Sequence, residues 1–402
     1  MPEQTQDEQK LVTVFGVTNR HLAADGKTFE DGELEVKRDA QVHYYKEVVP
    51  VQGRAKDYKA TGAGDITVID KATFDAETRD AVDKRGGKLG IFIHGIRNAV
   101  GEPGQKAAEL SAYSGETFVV EDWASTKEMP PQSRLQDLLN IASQQRADYQ
   151  SSAQSQEMIN GASVDLIEKF GAKNIDLVAH SRGSVNQARL LTHLQSRGGE
   201  PIHSATFAHS DVNAADFAHS LPHFYKATEH INVLYNVNDR ALRVSAMQKS
   251  GQANLRDGCT IINSNCLGNV GGADQFLQNQ SAELVGPGYL LSMADVSNDR
   301  DSYGHLMTSK KVAEVLTVPN IWATDANELK NGPQYKELDA AHSPVLLSNA
   351  QSTRIAEPAQ TGEAWKHTRQ EQRVLDETQI IRDFISASPE VEKAGGNRSF
   401  GG

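Results

Sequence analysis

The chain has 402 residues, 38% of them hydrophobic and 23% charged, with a formal net charge of -12. That length suits two or three average domains or one large α/β domain, while the acidic balance and the lack of any Lys/Arg cluster exclude nucleic acid as an expected partner. The first ten residues lack the basic start and apolar core of a secretory signal, and no apolar run is long enough to cross a bilayer. A cytoplasmic location is therefore the default expectation, with export by a route that needs no cleaved signal left open.

Residues 1–10 read as a flexible N-terminus. The first strand is expected over Leu11–Val17, followed by a turn at Asn19 and Arg20; a second lies within Val42–Val51 and a third over Asp65–Asp70. From Ala72 to Lys84 the sequence is charged, with only Phe74 and Val82 as large apolar residues, which suits an exposed helix. A strand over Leu89–Ile93 runs into His94 and Gly95, and Phe118–Val120 is the next. Two helices are expected after it, one around Leu135, Leu138, Leu139 and Ile141, the other around Val164, Leu166, Ile167 and Phe170. Together they make residues 130–170 a helical insert with a lid-like position.

The strand Ile175–Ala179 leads into Val185, Ala188, Leu190, Leu191 and Leu194, which recur at helical spacing. A strand near Ser204–Phe207, a helix near Ala214–His219 and a strand over Ile231–Val237 follow. This β-α-β rhythm predicts a mostly parallel sheet with helices on both faces, its strands' C-terminal loops gathered on one edge.

The α/β domain is expected to span residues 11–318. Beyond it, residues 319–402 form a polar C-terminal extension, partly helical or disordered, with prolines at 319, 333, 344 and 358. Val374, Ile381 and Ile385 could line one face of a late helix, and the extension is where a protein partner would dock. The two cysteines, Cys259 and Cys266, read as free thiols in a reducing compartment, with a small disulfide-closed loop as the alternative.

The chemistry concentrates in Ile175–Ser184 (IDLVAHSRGS). In a nucleophile elbow a strand turns so sharply into a helix that its serine is held in a strained conformation above the sheet edge, with small residues two before and two after it. Ser181 has Ala179 and Gly183 at those places. The pentapeptide alone would occur by chance in about one chain of this length in three, but strand, serine and helix stand here in the required order. The competing reading is an ordinary strand-to-helix turn in which the serine caps the helix.

A serine nucleophile needs a base, and the base needs an orienting group. In this architecture the order is Ser, then Asp or Glu, then His. Asp239 stands just past the strand Ile231–Val237, and His305 lies on a loop before the helical pattern Val312, Val315, Leu316. His342 and His367, the other histidines after Asp239, fall in the polar tail. Asp211, Asp299 and Asp301 remain alternative acids. The oxyanion needs preorganised N–H donors, for which the backbone N–H groups of Arg182 and of Ile96, after Gly95, are the candidates. Arg97 and His180 are expected on the substrate side, and two arginines near the mouth leave an anionic substrate open. His219 and His223 have i, i+4 spacing, but Pro222 interrupts the helix and the Glu of a zinc motif is missing. No metal or cofactor is expected. Asp122 and Trp123 read as core packing.

With these residues in view the chain resembles the α/β-hydrolase superfamily and, within it, a bacterial family of hydrolases of unknown function. The matching landmarks are Val12–Arg20 (VTVFGVTNR), Ile91–Gly95 (IFIHG), Glu121–Ser125 (EDWAS), Leu177–Ser184 (LVAHSRGS), Leu234–Leu242 (LYNVNDRAL), and Gly304 with His305. The resemblance implies Ser181 as nucleophile, Asp239 as acid and His305 as base, in a carboxylic-ester hydrolase acting on a small-molecule or lipid ester. Two departures, Ile96-Arg97-Asn98 after Gly95 and Arg182 after the serine, bear on the substrate. An exported lipase or phospholipase effector acting on membrane lipids, and a non-catalytic binding protein of the same fold, are the alternatives.

Overall fold

The computed structural model describes residues 8–31, 41–54, 57–125, 148, 151–212, 217, 220–221, 223–236, 239, 241–242, 290–295, 305 and 345–347. Two units divide the chain, Met1–Ala356 and Glu357–Gly402; the second lies outside the described residues. The elements of the first are β1 (Glu8–Thr18), β2 (His43–Arg54), β3 (Asp57–Ala60), β4 (Asp65–Ile69), α1 (Lys71–Lys84), β5 (Leu89–Ile93), α2 (Glu102–Ser114), β6 (Thr117–Asp122), α3 (Gln156–Phe170), β7 (Ile175–His180), α4 (Gly183–Arg197), β8 (Ile202–Ala208), β9 (Thr228–Tyr235), β10 (Leu290–Asp295) and β11 (Val345–Leu347).

They form one 11-stranded sheet in the order β11-β10-β9-β8-β7-β5-β6-β1-β2-β3, with β4 paired to β2. Every neighbouring pair from β10 to β1 is parallel, while β2, β3 and β4 add an antiparallel edge on one side and β11 on the other. The order reverses at β5: β6 pairs on one side of it and β7 on the other. In open α/β sheets such a reversal leaves a crevice at the strands' C-terminal ends, where ligands bind.

Alternation along the central strands explains why they are apolar throughout. Leu89, Ile91 and Ile93 of β5 and Leu177 and Ala179 of β7 pack in a core with Phe74 and Val82 of α1, Met158, Ile159 and Leu166 of α3, and Leu190 and Leu191 of α4. Phe92, Phe118, Val120 and Val178 face the opposite way, in a second core with Ala107, Ala108 and Leu110 of α2. Helices thus cover both faces, as a parallel sheet requires.

Some expectations need adjusting. The helix expected as exposed, α1, buries Phe74, Thr78 and Val82 on one side and is capped by Asp70, whose side chain accepts from the Thr73 N–H. α2 has no counterpart among the elements read from the sequence. It begins Glu102-Pro103-Gly104, and among its buried residues Leu110 is the one large aliphatic side chain, so its apolar signal is weak. β3, β10 and β11 were likewise given no strand, and β11 comes from the segment expected as the extension. Phe217 and Leu221, near the helix expected over Ala214–His219, are helical and fully buried. The helix around Leu135–Ile141, the pattern Val312–Leu316, Cys259, Cys266 and the late helix all lie outside the described residues. No helix among the described residues is long and apolar enough to cross a membrane.

Candidate active site

The non-glycine residues with positive φ among the described residues are Arg97 (59°), Ser181 (52°) and His209 (46°). Each follows the C-terminal end of a strand, β5, β7 and β8 respectively, and those strands are neighbours in the sheet. Such conformations cost about 1–3 kcal/mol each and persist where the surroundings over-determine them. The strain therefore marks one stretch of one edge.

Ser181 sits between β7 and α4. Its N–H donates to the Ala208 carbonyl at 3.0 Å, and its own carbonyl accepts from the N–H groups of Ser184 and Asp211, both at 3.1 Å. Gly183 is required by packing: a Cβ there would run into the Ile93 and His94 carbonyls. Gly95 is equally constrained, because a Cβ on it would stand 2.9 Å from the Ser181 Cβ. The loop carrying Ile96 is thus pressed against the serine, while the N-terminus of α4, the positive end of its dipole, begins immediately beyond it.

Asp239 and His305 meet. His305 Nδ1 lies 2.6 Å from Asp239 Oδ2, and the other oxygen of Asp239 accepts from the Leu242 N–H at 3.0 Å. Burial alone would push the Asp239 carboxyl up, but the charge of His305 and hydrogen bonds from His209 and His305 outweigh it and hold the group at about 2. His305 is brought towards the elbow by His180, whose Nε2 donates to the His305 carbonyl at 3.0 Å; the two rings lie 4.8 Å apart between centroids. Burial, and after it the neighbouring His305, lowers the His180 pKa well below its ordinary value, so that imidazole is neutral and serves the His305 loop.

Arg182 reaches back to Asp211, Nη1 to Oδ2 at 3.6 Å, with its side chain only 12% exposed. The carboxylate that meets His305 is therefore Asp239, and Asp211 is occupied by Arg182. Asp299 and Asp301 are outside the described residues. The Arg97 N–H donates to Asp148 Oδ2 at 2.9 Å, which fixes the loop after β5.

His209 was not singled out from the sequence. Its Nδ1 lies 3.2 Å from the same Asp239 oxygen that His305 uses, and its ring is fully buried. A signal existed: the C-terminal ends of β7 and β8 both run through Ala-His-Ser, at 179–181 and 208–210. Nitrogen and oxygen atoms of His209, Asp239 and His305 lie within 4.8 Å of one another, close enough in principle to hold a metal ion. Their shared hydrogen bonds already account for that closeness. The expected core residue Trp123 is fully buried, stacked on His94, while Asp122 forms a buried ion pair with Arg20 at 2.9 Å. Burial would raise the Asp122 carboxyl; the Arg20 charge and His94 lower it below its ordinary value.

A mostly parallel sheet covered on both faces, with a strained serine at a strand-to-helix turn on its C-terminal edge, is the architecture of the α/β-hydrolase fold. Residues 70–261 match the model of the family described as alpha/beta hydrolase of unknown function (DUF900). Among solved structures the chain is similar to an esterase/lipase from an uncultured bacterium, at 11% identity over 57% of this chain and 74% of that one with a TM-score of 0.26. It is also similar to a protein from Thermus thermophilus, at 14% identity over 60% and 90% with a TM-score of 0.35. The esterase of the archaeon Pyrobaculum calidifontis matches at 10% identity over 78% and 83%, with a TM-score of 0.30. No curated protein matches the chain.

Proposed function

We propose that the chain is a serine hydrolase that cleaves carboxylic esters through an acyl-enzyme at Ser181. The observation that carries this reading is the pairing of His305 with Asp239 at 2.6 Å on the sheet edge where Ser181 is held at a positive φ. An ionised carboxylate only accepts hydrogen bonds, so His305 carries its proton on Nδ1 and leaves Nε2 with a lone pair. His305 Nε2 takes the hydroxyl proton as Ser181 Oγ attacks the acyl carbonyl. Collapse of the tetrahedral intermediate breaks the ester bond, and the departing alcohol receives that proton from His305. Water, activated by the same nitrogen, then releases the acid.

In this reading the N–H groups of Ile96 and Arg182 bind the oxyanion, and Arg97 lies on the substrate side. Incubating the full chain with a fluorophosphonate probe tests it. The wild type should be labelled and should hydrolyse a p-nitrophenyl ester, and Ser181→Ala should do neither; an unlabelled, inactive wild type defeats the reading.

A further inference from the structure

A buried polar network stands beside the site, and the mechanism above makes no use of it. Arg20, just beyond β1, is 1% exposed. Its Nε donates to Asp122 Oδ1 and Oδ2 at 2.9 and 3.0 Å, its Nη2 to the Asn98 carbonyl at 2.9 Å and its Nη1 to the Ser125 carbonyl at 3.3 Å. Asp122, at the end of β6, also lies 3.1 Å from His94 Nε2.

The network's remaining bonds converge on the loop after β5. Trp123 Nε1 donates to the His94 carbonyl at 2.8 Å. Asn98 Nδ2 donates to the carbonyls of Gly95 and Ile96 at 3.0 and 2.8 Å, His94 Nδ1 lies 2.7 Å from the same Gly95 carbonyl, and Ser125 Oγ donates to that of Asn98 at 2.9 Å. The carbonyls of His94, Gly95, Ile96 and Asn98 therefore all face buried donors.

Stability alone is a poor account of this arrangement. Burying a guanidinium and a carboxylate costs several kcal/mol, and well-packed apolar residues of similar volume often replace such a pair without loss. What an apolar pair cannot supply is the planar fork of Arg, which here grips a carboxylate and two loop carbonyls at once.

We infer that Arg20, through Asn98, and Asp122, through His94, are positioning residues that hold the Gly95 carbonyl inward and thereby present the Ile96 N–H to the oxyanion. In a trans peptide the C=O and the following N–H point in opposite directions, and the chain has no cis peptide among the described residues. Fixing the Gly95 carbonyl in the network thus turns the Ile96 N–H out of it. Among the described residues that N–H makes no hydrogen bond, and its peptide begins at Gly95, which packs on Ser181. The inference rests on the serine-hydrolase reading.

The test uses the full chain and the double variant Arg20→Met/Asp122→Leu, which removes both charges so that neither is left buried alone. The readouts are kcat and KM for a p-nitrophenyl ester and Ki for a trifluoromethyl ketone, which forms a tetrahedral adduct on a reactive serine. Losing an aligned oxyanion donor should lower kcat about 100-fold, leave KM within about threefold and raise Ki by the factor by which kcat/KM falls. A folded double variant with wild-type kcat and Ki overturns the inference. Should that variant not fold, Asn98→Ala, which removes the donors to Gly95 and Ile96 and with them the acceptor of Lys106 Nζ, should lower kcat about tenfold with a matching rise in Ki; unchanged kcat and Ki overturn it. A wild type that neither turns over nor accepts the fluorophosphonate probe defeats the serine-hydrolase reading and this inference with it, whereas a labelled wild type matched by its variants defeats this inference alone.

Discussion

His209 shares Asp239 with His305: both Nδ1 atoms approach the same carboxylate oxygen, at 3.2 and 2.6 Å. Because a carboxylate only accepts, the second imidazole helps fix the Asp239 oxygen against which His305 is oriented. Replacing it removes a hydrogen bond to a charged group, of the class worth about 1.5–3 kcal/mol. For His209→Asn we expect kcat/KM for a p-nitrophenyl ester to fall about tenfold. Asp239→Asn, which can present an amide N–H to His305 and so favour the wrong tautomer, should fall about 10⁴-fold. Steady-state kinetics on the two variants check this, and equal losses would contradict the ranking.

Gly183 and Gly95 should fail differently. A methyl at 183 meets the carbonyls of Ile93 and His94, which belong to the central strand and the turn beyond it. Neither can yield without moving β5. A methyl at 95 meets the Ser181 Cβ at 2.9 Å and His180 Nδ1 at 3.3 Å, atoms of the site itself. Gly183→Ala is therefore expected to be destabilised by about 3 kcal/mol or more, and Gly95→Ala to remain folded while losing most activity. Thermal melts together with fluorophosphonate labelling separate the two outcomes.

The strands around the site were legible because each is a short apolar run: Leu89–Ile93 coincides with β5, and Ile175–Ala179 lacks only His180 of β7. Ser181 and Asp239 could be picked out because each follows such a run, and His305 because it precedes a helical pattern while the other histidines after Asp239, His342 and His367, fall in the polar tail. α2 could not be read, since Pro103, Gly104 and its alanines carry little periodic signal. Arg20 was hidden for a different reason. An arginine after a strand looks like a solvated turn residue, and only the parallel pairing of β1 with β6 sets it against Asp122. His209 stands thirty residues from Asp239 in the chain, a distance only the β8–β9 pairing closes.

Arg182 bears on the charge of the substrate. Its guanidinium lies 3.6 Å from the Asp211 carboxylate and is largely buried, so its charge is already opposed within the protein. Arg182→Met should change kcat/KM for an anionic ester and for a neutral ester of equal size by the same factor, within about threefold. Competition between such a pair of esters measures this directly. A selective loss on the anionic ester would assign the side chain to substrate binding.

Stability should respond to pH through carboxyl groups shifted in opposite directions. Burial raises Glu121 to about 8, with Ser163 only partly offsetting it, and burial with the nearby Asp122 charge raises Glu47 to about 8, partly offset by the Gly64 N–H. Between 4.5 and about 8 the folded state keeps these protons while the unfolded chain releases them, so stability falls as pH rises through that window. Asp239, held at about 2 against an ordinary 3.8, acts the other way: its contribution is present above the ordinary value and is lost as pH falls through the lowered one. His180 also opposes Glu121 and Glu47: its pKa lies well below the ordinary 6.5 in the fold, so below that value the unfolded chain takes up a proton there and stability falls. Glu121→Gln removes the ionisation while keeping the shape, and should raise stability at pH 8 by about 2 kcal/mol, roughly 5 °C for a domain of this size, with little change at pH 5. Melts of the wild type and of Glu121→Gln at the two pH values decide the matter, because a variant as pH-sensitive as the wild type would place the slope elsewhere.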